Sequence, residues 1–90
     1  MHLFVYLHGF KSSPLSNKAQ LTKTAIEQRI QLGEQITWYC PQLPASPREA
    51  IEMVRDHIGG QTFSTLSLMG SSLGGYYATH LAEQFPSKVS

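Results

Sequence analysis

Apolar and polar positions alternate between two periods along the chain. Leu3-Phe4-Val5-Tyr6-Leu7 is an unbroken apolar run rich in strand formers and ended by His8-Gly9. Such a run predicts a strand covered on both faces, the habit of parallel sheets. Ser12-Ser13-Pro14 interrupts the pattern, and a helix is predicted from about Ser16 to Leu32. At about 100° per residue, Leu15, Ala19, Leu21, Ala25, Ile26, Ile30 and Leu32 fall on one half of its wheel. Lys18 and Arg29 interrupt that half, with stems long enough to reach past packed atoms. Gly33 stands where a helix C-terminal glycine belongs.

Ile36-Thr37-Trp38-Tyr39 predicts a second strand, closed by Cys40-Pro41 and a proline-rich loop to Pro47. Ser46-Pro47-Arg48-Glu49 combines a capping-box serine and glutamate with a proline at the first helical position. The helix it opens is expected to bury Ala50, Ile51, Met53, Val54 and Ile58 and to stop at Gly59-Gly60. Thr65-Leu66-Ser67-Leu68-Met69 reads as a third strand, Gly70 to Gly75 as a turn, and Tyr76 to Phe85 as a helix apolar nearly all round, hence buried. The order β-α-β-α-β-α calls for an α/β fold with a parallel sheet and right-handed crossovers.

The length of 90 residues fits one domain, and 41% apolar with 14% charged residues excludes a disordered tail or fibrous repeat. Seven Lys+Arg against six Asp+Glu leave a net charge of +1 with no basic run, so neither a nucleic-acid nor a membrane partner is expected. Cys40, the single cysteine, cannot form an internal disulfide, and no metal-ligand spacing accompanies it. Leu3–Leu7 is too short for a signal-peptide core or a membrane span, which makes the cytoplasm the expected location.

The chemistry concentrates at Gly70-Ser71-Ser72-Leu73-Gly74, a Gly-x-Ser-x-Gly pattern centred on Ser72. A serine on a tight strand-to-helix turn takes a strained backbone conformation, and the residues two before and two after it nearly collide. Small residues are required there, and the hydroxyl is pushed clear of the sheet. Centring on Ser71 would put Met69 and Leu73 at the crowded positions, so Ser72 is the candidate nucleophile. The first strand should lie beside the third, so the loop after His8-Gly9 faces Ser72. Backbone N–H groups of Phe10 and Leu73 could then converge on a developing oxyanion. A phosphate-binding loop is disfavoured, because no Gly-x-x-x-x-Gly-Lys sequence exists.

At these residues the chain resembles the α/β-hydrolase superfamily, and closely the small bacterial YqiA-type esterases. The segments that carry the resemblance are Tyr6-Leu7-His8-Gly9-Phe10, Ser12-Ser13-Pro14 with Ser16 and Lys18-Ala19, Pro41-Gln42-Leu43-Pro44, and Gly70 through Ala78. The resemblance implies a three-layer sandwich and a carboxylester hydrolase working without a cofactor on short-chain acyl esters. Ser72 would be its nucleophile and the Phe10 and Leu73 amides its oxyanion hole. In that fold the acid and the histidine follow the serine. After Ser72 only Glu83 and His80 are available, and His80 lies roughly 12 Å along the helix, beyond hydrogen-bond reach. The chain is therefore expected to be one partial domain, the N-terminal half of such an esterase. It would be inactive alone and self-associating through an exposed edge of its third strand, and the alternative reading is a non-catalytic self-associating α/β domain.

Among the remaining candidates, His8 is expected to shape its loop and His57 to be a core or semi-buried histidine. His2 and His80 carry no partner by spacing. Tyr76 and Tyr77 should pack under the turn, Trp38 and Tyr39 in the sheet core. Lys11 should be solvated, and Cys40 has no histidine to lower its pKa.

Overall fold

The capping residues settle where the first two helices begin and end. Residues 1–8, 14–71, 73–85 and 88–89 are described by the computed structural model of the chain. Helix α1 (Asn17–Gln31) starts at Ser16, whose hydroxyl accepts the Ala19 amide at 3.2 Å. It ends in a Schellman motif: the Gly33 amide bonds the Ile30 carbonyl and the Glu34 amide the Arg29 carbonyl. Gly33 takes φ 102°, which only glycine adopts without strain. Helix α2 (Pro47–Gly59) starts at Ser46, which accepts the Glu49 amide at 3.4 Å, with Pro47 at its first position.

Strands β1 (His2–Leu7), β2 (Ile36–Tyr39) and β3 (Thr65–Gly70) form a parallel sheet in the order β2-β1-β3, as the alternating pattern predicts. The register pairs Phe4 with Trp38 and Val5 with Tyr39 on one side, and Val5 with Leu68 and Leu7 with Gly70 on the other. A fourth strand, β4 (Lys88–Val89), pairs with Ser67 and Leu68 of β3. Over those two residues β3 is thus an inner strand, a correction to the open edge expected there.

Right-handed crossovers decide which face each helix takes. The chain passes from β1 outward to β2, then back across β1 to β3, so α1 and α2 land on opposite faces. Helix α3 (Leu73–Ala82) shares the face of α2. On that face Leu3, Val5, Leu7, Leu66 and Leu68 from the strands meet Ala50, Val54 and Ile58 of α2 and Tyr77, Ala78 and Leu81 of α3 in one buried cluster. Each large side chain enclosed there contributes roughly 1.5–3 kcal/mol of transfer free energy. Ile51 and Met53, expected to be buried, are half-buried against its edge.

The opposite face is aromatic. The Trp38 ring stacks on Phe4 and Tyr6, at centroid distances of 5.6 and 6.0 Å. Helix α1 covers it thinly. Only Ala19 and Ile26 are buried, while Leu15, Leu21 and Leu32 are 78, 73 and 83% exposed. The apolar half-wheel was too generous, because α1 packs on β2, and a helix on an edge strand contacts it along a narrow line. Ala19 and Ile26, two turns apart, are that line. Helix α3 also differs from expectation: it starts at Leu73, so Gly74 and Gly75 belong to its first turn, and it leaves Tyr76 63% exposed.

Candidate active site

β3 ends at Gly70 and α3 begins at Leu73, leaving two residues for the reversal between a strand and a helix. Such a sharp corner forces backbone onto backbone. A β-carbon on Gly70 would fall onto the Gly74 carbonyl group and lie 2.5 Å from the Gly75 amide nitrogen. One on Gly74 would lie 2.7 Å from the carbonyl carbon of Leu7 and 2.8 Å from the carbonyl oxygen of His8, with the Leu7 oxygen closer still. The two glycines of the motif therefore touch each other, and the second also touches the end of β1. The spacing argument anticipated the first contact and missed the second.

Ser71 is fully engaged within this corner. Its amide donates to the Leu7 carbonyl at 3.3 Å, its carbonyl accepts the Gly74 amide at 2.9 Å, and its hydroxyl accepts from the Tyr6 hydroxyl at 3.3 Å. Tyr6 itself is wholly buried. Ser72 and Phe10 lie outside the described residues, as does Lys11. Leu73 is the first residue of α3, and the first turn of a helix presents N–H groups that have no acceptor within the helix.

His8 is buried at 5% exposure, and its Nε2 accepts the Leu43 amide at 2.8 Å. The bond fastens the Pro41–Pro44 loop to the end of β1, in keeping with the loop-shaping role expected of His8. A nitrogen already accepting an amide proton is not positioned to take one from a serine. Nothing in the sequence pairs these residues, which are separated by 35 positions.

The other histidines stand apart from the corner. His80 occupies the last turn of α3. His57 is half-buried and lies flat on Tyr39, with ring centroids 3.6 Å apart and planes 2° from parallel, which fits the semi-buried side of the expectation. Burial of the Tyr39 phenol raises its pKa. His2 does have partners, contrary to the spacing argument: Nδ1 meets the Thr65 hydroxyl and Nε2 the Ser67 hydroxyl at 2.8 Å, across β1 and β3. Burial first, then Arg29 and the N-terminal ammonium, hold the pKa of His2 below its usual value, with Glu34 opposing. Burial pushes the Cys40 thiol up, and Lys23 offsets part of that rise.

Among the described residues no group of three or more His, Cys, Asp or Glu side chains could hold a metal ion, and no helix is long and apolar enough to cross a membrane. What the corner offers on the described residues is a two-residue reversal between β3 and α3, with the first-turn amides of α3 beside it. Compared with known families, residues 3–89 match Uncharacterised protein family (UPF0227). The chain belongs to that family, which is the YqiA-type family its motifs resemble.

Proposed function

We propose that the chain supplies the nucleophile and the oxyanion amides of a serine hydrolase acting on carboxylic esters with short acyl chains. The observation that carries this reading is the contact of Gly70 with Gly74 and of Gly74 with Leu7 and His8. Packing alone does not call for so tight a corner, whereas a nucleophile elbow does. Ser71 supports the register, because its hydroxyl already accepts from the buried Tyr6, in keeping with Ser72 as the motif's nucleophile.

In the reaction, Ser72 Oγ adds to the ester carbonyl carbon and its proton passes to a histidine base. The Phe10 and Leu73 amides donate to the oxyanion, each worth roughly 3–4 kcal/mol by its removal. The bond to the alcohol oxygen then breaks, and the alcohol leaves with the proton. Water cleaves the acyl-serine to release the carboxylic acid. The described contacts engage or station the four histidines elsewhere. His80 is at the far end of α3, His8 holds the Leu43 amide, His57 lies on Tyr39, and His2 is at the amino end of the sheet.

A fluorophosphonate probe tests the assignment. As no histidine of this chain is assigned as the base, slow labelling at Ser72 under a large excess of probe is expected, lost in Ser72→Ala and kept in Ser71→Ala. A label carried by Ser71, or none on the native chain, would overturn the hydrolase reading.

A further inference from the structure

An open cleft of about 350 Å³ lies at the carboxyl end of β2, between that strand and the first half of α1. In open α/β sheets this is the end at which ligands bind. Its walls are Pro14, Leu15, Trp38 and Pro41, with Lys23 and Cys40 alongside. Apolar surface only slightly exceeds polar in the cleft, whose lining Gln20 and Tyr39 complete, and Lys23 is the only charged side chain among the described residues that line it. Lys23 is near enough to Cys40 to act on its thiol electrostatically. Trp38 is held by stacking on Phe4 and Tyr6, and Tyr6 is the residue whose hydroxyl bonds Ser71. One buried tyrosine therefore joins the wall of the cleft to the corner that precedes Ser72.

The geometry points to this cleft as the specificity pocket of the site. It takes the part of an ester remote from the scissile bond, a small apolar body ending in an anionic group. The apolar walls enclose the body, and the Lys23 ammonium meets the anion. The assignment rests on Ser72 being the nucleophile, and its test is separable from that reading.

Trp38 is the only tryptophan of the chain, so its emission reports this cleft alone. The Ser72→Ala chain is titrated with monobenzyl glutarate, which carries one carboxylate, and with the neutral benzyl methyl diester. Both should change Trp38 emission, and the monoanion should bind up to about five-fold more tightly, the range for one solvent-screened charge pair. Lys23→Gln should abolish that preference while the response to the diester remains. Flat emission with both esters, equal affinity for the two, or a preference that survives Lys23→Gln overturns the pocket. Flat emission in a chain whose Ser72 accepts the fluorophosphonate overturns the pocket alone. Responsive emission in a chain never labelled at Ser72 overturns the hydrolase reading and leaves the cleft as a ligand site.

Discussion

Gly74 has no room for a β-carbon, because the carbonyl groups of Leu7 and His8 fill the space it would need. Both neighbours are backbone, held in a strand end that cannot swing aside as a flexible side chain would. Gly74→Ala should therefore destabilise the fold by about 1–3 kcal/mol, the range for forced overpacking, and prevent labelling of Ser72. Gly59, at the end of α2, has nothing within 4 Å of its missing β-carbon. Gly59→Ala should be neutral or stabilising by up to about 1 kcal/mol through helix propensity and chain entropy. Urea midpoints of the two variants check both expectations. The motif spacing made Gly70 and Gly74 legible, since their crowding is local. The contacts of Gly74 with Leu7, of His8 with Leu43 and of Tyr6 with Ser71 were not legible, because each joins residues brought together only by the sheet.

The elements differ in how faithfully pattern translates into burial. In α2 the stripe Ala50, Val54 and Ile58 is buried as its spacing implies, because α2 lies over the middle of the sheet. In α1 five apolar residues share the half-wheel, yet Ala19 and Ile26 alone are buried. Periodicity records which side of a helix is apolar, and the width of the surface beneath decides how much of that side is used. Leu21→Gln should change stability by no more than about 0.5 kcal/mol, as for an ordinary surface position. Ile26→Ala, at a residue 5% exposed, should lose about 2 kcal/mol or more. Equal losses in thermal denaturation would show that Leu21 is covered in solution.

For the whole molecule, the sheet is pinned at its amino end by His2, whose ring meets Thr65 and Ser67 across β1 and β3. Its pKa is lowered in the folded state, chiefly by burial. The unfolded chain therefore binds more protons than the folded one once pH falls below the ordinary histidine value of about 6.5. Stability is fully expressed above that pH and declines below it. The urea midpoint should drop between about pH 7 and pH 5.5, and His2→Asn should flatten that slope. An unchanged slope would assign the acid sensitivity to other groups. The alternation of strands and helices was readable over the whole molecule, because each element carries its own period and caps. The fourth strand was not, since Lys88-Val89 is too short to carry a period.

The strand order β2-β1-β3-β4 also sets a timetable for synthesis. β1 leaves the ribosome before the other strands, yet Thr65, the partner of His2 on β3, follows 63 residues later. At translation rates of about 5–20 residues per second, those apolar residues wait several seconds for their second neighbour. Chaperone occupancy of the nascent chain should peak in that interval and fall once β3 has emerged. The first strand made is among the last to be enclosed.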